Sequence, residues 1–152
     1  MTAAQTLAAA RTVFLETSVL IYFIEAHPTF APLVASVFDG MDTGTRVGIS
    51  SQIALFEVLT KPFELGRADL VDRYKALLLG HPNLRIFDVS AQIAEEAARL
   101  RAQFRLKKAP DAIQLATARL ERVDAFLTND IDLRRVTTVP VVVLGELVAT
   151  SS

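Results

Sequence analysis

TVFLE at residues 12–16 and AFLTND at residues 125–130 decide the reading of this chain. Each is a short apolar run that closes on an acid, bounded by residues that favour turns and helix starts. A run with no polar alternation reads as a strand buried on both faces, as in a parallel sheet. An acid at the carboxyl end of such a strand lies where open α/β sheets bind their ligands. Glu16 and Asp130 are therefore candidate functional residues before any other feature is considered.

Working outward, apolar runs alternate with helical periodicity along the whole chain, the pattern of an α/β domain with a mainly parallel sheet. Five strands are expected at 12–16, 46–50, 84–89, 125–128 and 139–144. Helices are expected at 18–25, 31–42, 52–63, 67–79, 91–105 and 111–121. Ser50 or Ser51 and Ser90 are placed to cap helices, and Pro110 suits a first helical turn. Pro62 with Gly66, and Gly80 with Pro82, are expected to end theirs.

Two further acids interrupt apolar helical segments: Glu57 in QIALFEVLTKP (52–62) and Asp111 in APDAIQLATARL (109–120). An unpaired charge among apolar residues is costly. A hard divalent cation would offset the cost at four such positions together, and carboxylate-held cations serve phosphodiester chemistry. Taken singly, each acid has an ordinary explanation. Glu57 and Lys61 have the spacing of an exposed helix pair, Asp111 suits a helix start, Asp130 suits a turn or the cap of a short helix through Leu133, and Glu16 can cap the helix at Ser18. On that account the chain is a structural α/β domain with capping and surface acids.

Composition narrows the alternatives. The 152 residues suffice for one domain with a sizeable core. Residues 12–149 form the expected domain and residues 1–11 a short extension, frayed or helical, lacking the basic start and apolar block of a leader. Hydrophobic residues make up 51 % and mean hydropathy is +0.36, enough apolar surface to expect a partner interface. A formal net charge of −1 means that any nucleic-acid binding must use a local basic patch. Arg99, Arg101, Arg105, Lys107 and Lys108 cluster ahead of Asp111, and Arg134 and Arg135 follow Asp130; each set is either a solvated face or a phosphate contact. Absence of cysteine excludes disulfides, zinc–thiolate sites and thiol nucleophiles, and fits a cytoplasmic protein. The longest apolar runs, 19–24 and 139–144, are too short to span a membrane. His27 and His81 precede prolines in turn-like segments and read as surface residues. There is no Walker loop, GxGxxG or GxSxG elbow.

The segments FLETSVLIYFIE, ISSQIALFEVLTKP, KKAPDAIQLATARL and FLTNDIDLRRV, in that order, resemble the PIN-domain nucleases, and within them the VapC-type toxins of toxin–antitoxin pairs. The resemblance runs from Thr12 to Leu147. It implies a five-stranded sheet flanked by helices on both faces, an acidic pocket binding Mg²⁺ or Mn²⁺, and endonucleolytic cleavage of RNA. It further implies a homodimer and an antitoxin whose tail lies across the active-site groove. Glu57, Asp111 and Asp130 match the family's metal-site acids, Asp132 matches an additional acid used less uniformly, and Thr128 and Asn129 match the polar residues that shape the loop. Glu16 matches the first-strand acid, where the family favours aspartate. That departure leaves open an alternative: a catalytically weak or inactive PIN domain that binds RNA or a protein.

Overall fold

The computed structural model describes residues 1–150. The elements run α1 (Ala3–Ala9), β1 (Thr12–Leu15), α2 (Thr17–Ile24), α3 (Ala31–Thr43), β2 (Val47–Ser51), α4 (Gln52–Glu64), α5 (Ala68–Gly80), β3 (Leu84–Phe87), α6 (Ala91–Phe104), α7 (Ala109–Leu120), β4 (Ala125–Thr128), a 3₁₀ turn (Ile131–Arg135), β5 (Val141–Val143) and α8 (Leu144–Thr150). The five strands form one sheet in the order β3-β2-β1-β4-β5, and every pairing is parallel.

Side-chain alternation along β1 divides the core in two. Val13 and Leu15, both fully buried, join a cluster built from α2, α3, α5, Val58 of α4 and Leu147 of α8. Phe14 points the other way, stacks on Phe126 with ring centroids 4.9 Å apart, and joins Ile49 and the inward residues of α6 and α7. Helices cover both faces, as the resemblance implies. Gly48 of β2 makes close packing possible: a Cβ there would lie 2.9 Å from Leu84 Cδ1 and 2.9 Å from Met41 Sδ.

Several boundaries differ from expectation, each for a local reason. In the extension, where a helix is one of the two expected states, residues 3–9 are helical because Thr2 and Gln5 form a reciprocal capping box, and Leu7 buries itself in the core. Ser51, not Ser50, caps α4, accepting from Ile53 N at 3.2 Å; Ser50 Oγ instead donates to Leu15 O. Pro62 does not end α4. It lies buried near the helix's carboxyl end, where its missing N–H costs one bond, and the chain turns at Gly66 in a left-handed conformation (φ +64°). The last strand is shorter than 139–144, because Pro140 has no N–H to give the ladder and contributes only its carbonyl, to Phe126 N. Leu144, expected to close that strand, opens α8, an element the sequence reading omits. Glu16 is not the last residue of β1 but the N-cap of α2.

Candidate active site

The chain runs outward from β1 to β2 and β3, then returns to place β4 on the other side of β1. This reversal leaves a crevice at the carboxyl ends of β1 and β4. Leu15 pairs with Leu127, and Glu16 N donates to Leu127 O at 3.2 Å, so both strands deliver their following residues to the same place. A pocket of about 490 Å³ there is lined by Glu16, Glu57, Asp111 and Asp130, together with Thr17, Ser18, Tyr22, Lys108, Asn129 and others. Four acids from four separate segments are thus brought together.

Each is held differently. Glu16 Oε2 accepts from Ser18 N at 3.1 Å, from Ser18 Oγ, and from Thr128 Oγ1 at 3.3 Å. Burial raises its pKa above the ordinary 4.5; the Ser18 hydrogen bonds oppose the rise, Asp111 adds to it and Thr128 opposes it. Thr128 Oγ1 also accepts from Asp130 N at 3.1 Å, so one hydroxyl ties the two strand ends. Asp130 is exposed and caps the 3₁₀ turn by accepting from Asp132 N at 3.0 Å. Asp111 sits in the first turn of α7, which begins at Ala109. Its pKa rises from 3.8 through burial; Lys108 opposes this, while Asp130 and Glu57 add to it. Asp111 therefore feels all three of the other acids.

Glu57 is not paired with Lys61, whose ion-pair partner is Glu64. Its Oε1 accepts from Thr17 Oγ1 at 2.7 Å and from Gln114 Nε2 at 3.2 Å. Neither Thr17 nor Gln114 was singled out by the sequence reading. A signal for Gln114 existed: an amide at a position three residues after Asp111, flanked by Ile113, Leu115 and Ala116, is out of place on an inward helix face. Asp132 is not brought to the pocket lining. It is exposed and paired with Arg135, Nε to Oδ1 3.2 Å.

Of the basic residues ahead of Asp111 and after Asp130, only Lys108 lines the pocket. Arg99 is paired with Glu95 and Glu96, Arg134 with Glu146, and Arg135 with Asp132. Arg101 donates to Lys107 O. The histidines are half-buried and not purely surface groups. His27 Nδ1 accepts from Thr29 and Phe30 N–H, and His81 contacts Asp42 at 2.8 Å. A larger cavity of about 550 Å³, beside Leu7, Leu33 and Arg46, holds no acid.

The donor chemistry fits a hard divalent cation: oxygen ligands only, with four carboxylates against one lysine. Among the described residues, no three His, Cys, Asp or Glu side chains are grouped to hold an ion as placed. Mg²⁺ retains several waters and needs only one or two direct carboxylates, so the fit is one of donor type and charge.

Residues 13–139 match the family model for the PIN domain. No curated protein matches the chain. Among solved structures, the chain is similar to VapBC2 from Rickettsia felis bound to a DNA fragment from their promoter (19% identity, 86% of this chain and 96% of that one, TM-score 0.67). It is also similar to a toxin–antitoxin complex from Klebsiella pneumoniae (24%, 88% and 97%, TM-score 0.65) and to FitAcB from Neisseria gonorrhoeae (18%, 88% and 98%, TM-score 0.65). At these identities the likeness is one of fold. The family match over most of the chain, on a parallel sheet that gathers four acids at its switch point, establishes that this protein belongs to the PIN-domain family.

Proposed function

We propose that this chain is a metal-dependent endoribonuclease, the toxin of a VapBC-type pair, with Glu16, Glu57, Asp111 and Asp130 as its working acids. The observation that carries this is the convergence of those four carboxylates at one crevice, opposed there by Lys108 alone. A bound Mg²⁺ or Mn²⁺ would supply water activation and neutralise charge at phosphorus. Glu57 and Asp111 are the residues best placed to hold it, one anchored by two donors and the other at the centre of the acidic field. Asp111 or Asp130 orients the attacking water and accepts its proton. Lys108 draws the scissile phosphate into a pocket that would otherwise repel it. Asp132, outside the lining, contributes its backbone N–H to Asp130.

Antitoxin pairing is supported by solved complexes of the same fold. A homodimer and an antitoxin contact are consistent with exposed Phe56, Phe63, Leu65 and Ile131. No helix among the described residues is long and apolar enough to cross a membrane, and a cytoplasmic location suits the proposed substrate. We assign the nuclease unit to residues 12–149, with residues 1–11 as an extension packed against it.

One observation favours a second reading, a weak or inactive PIN domain that binds RNA or protein: Glu16 Oε2 is already engaged by Ser18 and Thr128. Cleavage of a total-RNA pool with Mn²⁺, this chain against Asp111→Asn, separates the two. Loss of cleavage in the variant supports the nuclease; equal cleavage by both removes the site assignment; Mn²⁺-independent RNA binding without cleavage favours the second reading.

A further inference from the structure

Gln114 is a polar side chain with no accessible surface, on a helix face otherwise given to the core. A buried amide costs free energy unless hydrogen-bonded. Here Nε2 donates to Thr17 Oγ1 at 3.0 Å and to Glu57 Oε1 at 3.2 Å, while Thr17 Oγ1 donates to the same Glu57 oxygen at 2.7 Å. The three side chains come from α7, α2 and α4 and close a triangle on one carboxylate oxygen. Chemistry fixes the amide's orientation: the flipped form would set a carbonyl oxygen against the carboxylate. The amide's own Oε1 has no partner among the described residues. An apolar side chain of the same size would avoid that loss, so the amide is better explained by what it does to Glu57 than by packing.

We propose that Gln114 is a positioning residue for Glu57. With Thr17 it claims Oε1, fixes the carboxylate's rotation, and leaves Oε2 as the oxygen for the cation. Partners that orient a metal-binding carboxylate typically change metal affinity about 10- to 100-fold when removed. The inference rests on the reading of the pocket as a divalent-cation site.

The test is Mn²⁺ binding to the purified full chain, followed by the electron paramagnetic resonance of free Mn²⁺, alongside thermal melting. Gln114→Met, unbranched and nearly isosteric, should melt at or above the original temperature while binding Mn²⁺ about 10- to 100-fold more weakly. Gln114→Leu should do the same. Unchanged affinity in a well-folded variant would overturn the proposal, as would loss of folded protein in both variants, which would make the triangle a structural element. Asp111→Asn separates this from failure of the underlying reading. If the original chain binds no Mn²⁺, or binds it as Asp111→Asn does, the cation site itself is refuted. If Asp111→Asn loses binding and Gln114→Met keeps it, only the positioning role falls.

Discussion

Glu16→Asp probes the position where the sequence resemblance implies aspartate. Glutamate now reaches over the start of α2 so that Oε2 collects Ser18 N at 3.1 Å, Ser18 Oγ, and Thr128 Oγ1 at 3.3 Å. Removing one methylene retracts the carboxylate by about 1.5 Å. Aspartate keeps the cap, since a short side-chain acid accepts from the second helical N–H, which is Ser18, and it ranks among the best N-caps. The cap should gain about 0.5–1 kcal/mol, and the long Thr128 bond should give back about half of that. The expected result is a melting temperature unchanged or raised by up to about 2 °C. The effect on chemistry should be larger. A misplacement near 1 Å can change rate by about 10²-fold, so Glu16→Asp should cleave RNA up to about 10²-fold faster in Mn²⁺. The gain should be greater still in Mg²⁺, which tolerates poor geometry least. Initial rates on a total-RNA pool, with Asp111→Asn as blank, decide the matter. A folded Glu16→Asp that cuts no faster than the original, with an unchanged Mg²⁺-to-Mn²⁺ ratio, would refute the reasoning and show that the pocket is adapted to glutamate.

The raised acids predict a pH dependence of stability. Glu16 and Asp111 both have folded pKa values above their ordinary 4.5 and 3.8, chiefly through burial. The folded state therefore holds their protons more tightly than the unfolded chain, and that contribution is complete below about pH 4 and lost as pH rises through the folded values. Urea midpoints should consequently rise in Glu16→Gln and Asp111→Asn relative to the original chain near pH 7, and converge with it near pH 4; a gap that widens toward acid would contradict the assignment. Asp124, lowered mainly by hydrogen bonds from Thr12 and Arg11, acts in the opposite sense and is common to all three proteins. A third prediction concerns the other end of α7. Glu96 is 6 % exposed and paired with Arg119 and, at 3.3 Å, with Arg99. Arg119→Leu strands that carboxylate with one exposed partner and should cost about 2–3 kcal/mol, a fall of about 4–12 °C, which Glu96→Leu added to it should largely restore. A shift under about 2 °C would show that Arg99 suffices.

How much of this was legible in the sequence follows from how local each cause is. β4 is found where its apolar run lies, and β1 one residue short of it, because a central parallel strand is buried on both faces and its composition records that. The caps at Ser51 and Ser90, the turn at Gly66 and the end of α5 at Gly80 are likewise local chemistry. The acids at strand ends and in apolar helices marked the pocket because charge among apolar residues needs a cause within a few positions. Tertiary structure alone decided the rest. Strand order β3-β2-β1-β4-β5 set Glu16 beside Thr128 across 112 residues, and no short-range signal carries that pairing. It also decided which cations serve the crevice: Arg134 and Arg135 follow Asp130 in sequence, yet Glu146 and Asp132 hold them, leaving Lys108. It moved Glu57 from a surface pair with Lys61 to the triangle with Thr17 and Gln114, whose members lie 40, 57 and 97 positions apart. Sequence fixes what each segment can bury and where an acid is anomalous; partners between distant segments exist only once the sheet has assembled, because a hydrogen bond or ion pair depends on a few ångströms that only packing supplies.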